Sequence, residues 1–149
     1  MKIIISTPEA PAAIGPYSQA VEAGGFIFIS GQLPVDPATG NMEAADTALQ
    51  TSAVIRNIEA ILKSRALTLE SVIKTTVFMT DLGEFQKMNE VYARFFAKNP
   101  PARATVEVKA LPKSALVEIE AIAEVISNRY IKEFLLLLSP VNRLQVTGH

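Results

Sequence analysis

Between Pro100 and Glu124 the chain reads P-P-A-R-A-T-V-E-V-K-A-L-P-K-S-A-L-V-E-I-E-A-I-A-E, and three of its side chains could serve a small-molecule site: Arg103, Glu118 and Glu120. A guanidinium offers a carboxylate two parallel charge-assisted hydrogen bonds, which set orientation as well as attraction; a lysine ammonium positions it less well. A carboxylate can orient a water and accept its proton, an effect worth roughly 10²–10⁴-fold in rate. Strand alternation gives a plainer account of the same charges. Ala104, Val106 and Val108 alternate with Arg103, Thr105, Glu107 and Lys109, and Val117, Ile119, Ala121 and Ala123 alternate with Glu118 and Glu120. That is the pattern of a sheet packed on helices on one side and facing water on the other, with the charges merely solvated.

Composition removes much of the usual catalytic repertoire. The 149 residues include no cysteine and a single histidine, which is the last residue. Disulfides, thiolate ligands, a cysteine nucleophile, a histidine-based triad and a histidine-rich metal site are therefore excluded. With 14 basic and 15 acidic side chains there is no excess positive field for nucleic acid or anionic lipid. The length suits one ordinary domain with its own core. The apolar run after Met1 is too short for a signal peptide, so a cytoplasmic location is expected.

The elements that must position these residues follow in chain order. Lys2–Ser6 is a short β-branched strand broken by Thr7-Pro8-Glu9-Ala10-Pro11. Gly15 and Pro16 form a bend that presents Tyr17. Ser18–Ala23, Gly24-Gly25 and Phe26–Ser30 read as a hairpin. It ends at Ser30-Gly31-Gln32, where a residue without Cβ lets a ligand approach the backbone. After a turn-rich loop, Leu49, Val54, Ile58, Ile61 and Leu62 mark an amphipathic helix from about Ala44 to Ala66, with Asn57 off its apolar side. Val72–Thr80 is a central strand. Asp81, followed by Glu84, resembles a helix cap before an aromatic stripe of Phe85, Met88, Tyr92, Phe95 and Phe96; Asn89 lies off that line, with its amide free for a cleft or water. Leu111-Pro112-Lys113-Ser114 turns the chain between the two last strands.

Residues 1–126 are expected to form a single domain and 127–149 a C-terminal extension. In the extension, Phe134–Leu138 is apolar but far short of the ~20 residues that span a bilayer. A short helix packed on its own domain or a neighbour, or a partly disordered appendage, is expected rather than a membrane anchor.

Five strings occur in one order: A-P-A-A-I-G-P-Y-S-Q-A, F-I-S-G-Q-L, K-T-T-V-F-M-T-D-L, N-E-V-Y-A-R-F-F, and P-P-A-R-A-T-V-E-V-K-A-L-P-K-S-A-L-V-E-I-E-A-I-A. Together, over residues 1 to about 125, they resemble the RidA (YjgF) family of reactive-intermediate imine deaminases. The resemblance implies an α+β, chorismate-mutase-like fold: a six-stranded, mostly antiparallel sheet with two helices on one face, assembled as a homotrimer with intersubunit sites. It implies hydrolysis of enamine and imine intermediates such as 2-aminoacrylate and 2-aminocrotonate to 2-keto acids and ammonia, without cofactor or metal. By position, Arg103 resembles the arginine that binds the substrate carboxylate, and Glu118 the acid that holds the attacking water. Tyr17, Ser30, Gly31, Asn89 and Thr105 fall where the family lines its pocket. The chain departs from the pattern at Thr105, where many members have cysteine, and in its tail after about Asn128.

Two other readings compete. An endoribonuclease, an activity also attributed to relatives of the family, fits poorly with the balanced charge and the lack of a basic stripe with stacking aromatics. A non-catalytic module sensing small carboxylates would need the same Arg103. The geometry also raises a question. In a hairpin centred near Lys113, Arg103 would lie opposite about Ala123 and Glu118 opposite about Val108, roughly 16 Å apart along the ladder. Either these strands are not direct neighbours, or the two groups meet across a subunit boundary.

Overall fold

Strand-forming and helix-forming stretches alternate along the chain, and the strands assemble into one sheet whose order departs from the order of the sequence. The computed structural model describes residues 1–125 and 134–138. Its strands are β1 (Ile3–Ile5), β2 (Ala20–Ala23), β3 (Phe26–Gln32), β4 (Val72–Met79), β5 (Ala102–Glu107) and β6 (Val117–Glu124); its helices are α1 (Thr47–Lys63) and α2 (Phe85–Phe95). The six strands lie in the order β1-β2-β3-β6-β4-β5. All neighbours are antiparallel except β4 and β5, which are parallel. The six-stranded, mostly antiparallel α+β architecture with its helices on one face is the expected one.

The β2–β3 hairpin turns on Gly24 and Gly25, with φ of 60° and 84°, values suited to the tight turn that continues a twisted ribbon. The carboxylate of Asp46 caps α1 by accepting from the Leu49 N–H at 2.9 Å. Val54, Ile55, Ile58, Ile61 and Leu62 of α1 are buried against Ile27, Ile29, Val77, Ile119 and Ala123 of the sheet. Two details of this helix differ from its sequence pattern. Leu49 is 51% exposed, and Asn57 is buried, where its amide donates to the carbonyls of Leu33 and Val35 at 3.0 Å each. A buried amide is tolerable once its donors are filled, and here it ties α1 to the loop after β3.

The second half is a β4–α2–β5 crossover, which is what places β5 parallel to β4. Of the two arrangements weighed for the strands of Arg103 and Glu118, the hairpin does not form and the strands are not direct neighbours, because β6 inserts between β3 and β4 and leaves β5 at the edge. Across the ladder Arg103 is level with Thr75 and Thr75 with Ala121, while Glu118 is level with Phe78 and Phe78 with Val106.

The two faces of β5 are the reverse of those its alternation suggests. Thr75, Val77 and Met79 of β4 point at the helices and are buried. Their register partners on β5 are Arg103, Thr105 and Glu107, so the polar side chains of β5 share the helix-facing side. Ala104 and Val106, expected on the core stripe, occupy the other face and are exposed. The reason is that β5 lies at the rim, where core burial does not select its inward residues. The sheet face away from the helices carries Phe26, Phe28, Phe78 and Ile122 besides Glu118 and Glu120. Its aromatic character is marked, with Phe28 46% exposed.

Of the extension, residues 134–137 form one helical turn, and all of 134–138 are exposed. The rest of the 127–149 segment lies outside the described residues. Among the described residues no helix is long and apolar enough to cross a membrane.

Candidate functional site

The first cluster is built where β3 loses its register. Ile29 pairs with Ala121 and Gln32 with Ile119, so Ser30 and Gly31 together oppose the single residue Glu120. Such a bulge bends the strand and re-aims its neighbours. Ser30 is fixed by its hydroxyl, which donates to the Ser18 carbonyl at 2.6 Å, and by its N–H, which donates to the Gln19 carbonyl at 3.0 Å. The buried Gln19 side chain accepts from the Thr7 N–H at 2.7 Å and donates to the carbonyls of Thr7, Ala10 and Pro11. It thereby pins the N-terminal loop that carries Tyr17. Tyr17 follows Gly15, whose φ of 126° makes the bend, and its hydroxyl accepts from the Ile14 N–H at 3.3 Å.

Tyr17, Ser30, Gly31, Glu118, Glu120 and Lys113 line one groove of about 840 Å³, with Ile14, Leu33 and Val35 among its apolar walls. Glu118 lies directly over Gly31. A Cβ at position 31 would collide with its carboxylate, so only glycine leaves this acid its place. Burial is the larger cause, and the nearby charge of Glu120 the smaller, that raises the Glu118 pKa above the ordinary carboxylate value.

The second cluster lies on the other side of the sheet, at the β5 edge. The Arg103 guanidinium donates through Nη1 to Asn89 Oδ1 at 2.8 Å, and its Cζ lies 4.7 Å from the Tyr92 ring centre and 5.6 Å from that of Phe85. The Tyr92 hydroxyl shares a 2.7 Å hydrogen bond with Thr75 Oγ1. Burial pushes the Tyr92 phenol upward, opposed by that bond and by the Arg103 charge. Two residues along β5 from Arg103, Thr105 Oγ1 is buried without a hydrogen-bond partner. Among the described residues no cluster of three or more metal-ligating side chains forms.

The structure thus gathers the sequence candidates into two groups: Tyr17, Ser30, Gly31 and Glu118 in the groove, and Asn89, Arg103 and Thr105 at the edge. One chain does not bring the groups together, because they sit on opposite faces of the sheet. Gln19, Asn57 and Tyr92 were not singled out as site residues by sequence reasoning. Only Tyr92 left a signal, its helical spacing from Phe85 and Asn89.

Comparison with known proteins agrees with this architecture. A family model described as Endoribonuclease L-PSP matches residues 7–125. A RutC family protein of Pyrococcus horikoshii is 54% identical over 123 residues, which cover 83% of this chain and 98% of the relative. The chloroplastic Reactive Intermediate Deaminase A of Arabidopsis thaliana is 45% identical over 122 residues, covering 82% of this chain and 65% of the relative. The crystal structure of Escherichia coli TdcF with bound serine matches with a TM-score of 0.78 at 46% identity, covering 82% of this chain and 98% of that one. Matched from its first loop through its last strand, the chain belongs to the RidA (YjgF) family.

Proposed function

We propose that this protein hydrolyses reactive 2-imino acids, the tautomers of 2-aminoacrylate and 2-aminocrotonate, to 2-keto acids and ammonia. The observation that carries this reading is Glu118, a half-buried carboxylate over a glycine in an open groove, with its pKa raised toward the range useful to a general base. Glu118 orients a water and takes its proton as the oxygen bonds to the imine carbon. Glu118 returns that proton to the nitrogen of the tetrahedral adduct and relays the hydroxyl proton after it, so that the C–N bond breaks, the carbonyl forms and ammonia leaves. The substrate carboxylate is held by Arg103, with Tyr17, Ser30, Asn89 and Thr105 shaping or supporting the pocket.

Since Arg103 and Glu118 stand on opposite faces of one sheet, the reading joins Arg103 of one subunit to Glu118 of another, in a homotrimer whose contacts cover the aromatic sheet face. The assay is keto-acid release from 2-aminoacrylate generated in place by a pyridoxal-phosphate lyase. Release at the uncatalysed rate, with binding of a 2-keto acid retained, would leave a carboxylate-sensing module. Cleavage of RNA in its place would favour the endoribonuclease reading, which the formal net charge of −1 does not support.

A further inference from the structure

An arginine that binds a small carboxylate must be held still without being neutralised. Among the described residues the ion pairs are Arg65 with Glu22 and Lys87 with Glu84, and Arg103 belongs to neither. What holds it is uncharged and comes from one face of α2. Phe85, Asn89 and Tyr92 are spaced i, i+4 and i+7, so they line up along the helix. Both rings lie within the ~6 Å at which a guanidinium is attracted to an aromatic face, and the Asn89 amide takes one N–H of the fork. An acid at position 89 would cancel the charge that the ligand needs.

Tyr92 is itself immobile. It is 5% exposed, packs on the Phe96 ring at 4.5 Å between centres, and shares its hydroxyl hydrogen bond with Thr75. Thr75 is the residue paired with Arg103 in the β4–β5 ladder. The contacts therefore close a ring: Arg103 to Tyr92, Tyr92 to Thr75, and Thr75 back to Arg103 through the sheet. A long side chain held in this way loses little further rotamer freedom when a ligand arrives.

We propose that Tyr92, assisted by Phe85 and Asn89, is a positioning residue that presents the Arg103 guanidinium to the substrate carboxylate while leaving its charge unspent. The proposal rests on the reading of Arg103 as the carboxylate-binding group. Its test measures the Kd for 2-oxobutanoate by calorimetry and KM and kcat for the corresponding imine, in the intact oligomer. Tyr92→Leu is expected to raise Kd and KM about tenfold and to leave kcat within about threefold. Tyr92→Phe, which keeps the ring, is expected to recover both to within about threefold of wild type. Asn89→Asp is expected to weaken 2-oxobutanoate at least tenfold by pairing the charge.

Should Tyr92→Leu fail to fold, Phe85→Leu at the more exposed end of the face decides, with a rise in Kd of about threefold expected. Unchanged Kd in the folded variant, or a loss confined to kcat, would overturn the proposal, as would a wild type that binds no 2-oxobutanoate. A wild type that binds 2-oxobutanoate yet releases no keto acid from the imine would defeat the deaminase reading alone, because the Kd series still tests Tyr92.

Discussion

Mixing two inactive variants tests whether the site is shared. Within one chain Arg103 is level with Ala121, two strands across and three residues along from Glu118. At ~4.8 Å between strands and ~3.3 Å per residue, the two Cα atoms are about 14 Å apart, with their side chains on opposite sides of the sheet. A 2-imino acid of a few heavy atoms cannot touch both. Arg103→Ala and Glu118→Ala are each expected to be inactive. In a trimer assembled at random from equal amounts of the two, a cleft works only if its Arg103 donor and its Glu118 donor are both intact. Each condition has a chance of about one half, so about a quarter of wild-type activity should return. The assay is keto-acid release after co-refolding, with mixed trimers verified by native mass spectrometry. Activity that stays at the parental level in verified mixtures would show that each chain carries a whole site and would refute the opposed-face argument.

Four further outcomes are expected. Glu118→Gln should keep 2-keto acid affinity within about threefold and lose roughly 10²–10⁴-fold in kcat, since it preserves shape and removes the proton acceptor; an equal loss of affinity would make Glu118 a binding residue. As the proposed base Glu118 must be ionised, so kcat/KM should fall as pH drops through its raised pKa, and Glu120→Gln, by removing one of the two causes of that rise, should move this acid limb to lower pH. A limb that stays in place would contradict the assignment. Gly31→Ala should push the Glu118 carboxylate aside and cost at least tenfold in kcat, with the fold intact by circular dichroism; wild-type kcat would show that the close approach is dispensable. Ending the chain after Asn128 should leave the thermal midpoint within about 2 °C and activity unchanged, because the sheet closes by Val125, whose N–H donates to the Gly25 carbonyl at 2.8 Å. Aggregation of that truncated chain would mean that residues 134–138 cover part of the core.

How much of this was legible depends on what each residue answers to. The Gly24-Gly25 turn, the buried face of α1 from Val54 onward and the aromatic stripe of α2 are set by local backbone demands and core burial, and they stand in the sequence as such. Leu49 misled because it lies on the face of α1 opposite the buried line of Thr47, Gln50, Thr51, Val54 and Ile58. Asn57 misled because a polar side chain buried on two carbonyls looks like a surface residue until its partners are known. The alternation in β5 revealed a strand but not its inward side, since an edge strand is not sorted by burial. Its pairing stays open in the sequence for a related reason: adjacent strands with a short turn suggest a hairpin, whereas the strand, eleven-residue helix and strand from Val72 to Glu107 suit a parallel crossover. The candidate site residues stand in recognisable strings, but their division between two faces follows from register, which no string carries.

The place of β6 governs how this chain can fold in time. Without it, β1-β2-β3 and β4-β5 share no ladder, and each presents one further open hydrogen-bonding edge, on β3 and on β4. Phe26 must find Glu124 roughly a hundred residues later, and Val72 must find Ala123, so the closing event joins the most distant parts of the domain. A nascent chain that has not yet released residues 117–124 from the ribosome therefore carries two adhesive half-sheets and no finished core. Destabilising changes at Ile119 or Ala121 should slow refolding as well as hasten unfolding, whereas comparable changes in β1 should act on unfolding alone. The strand that supplies the proposed catalytic base is also the keystone whose arrival commits the protein to its native state.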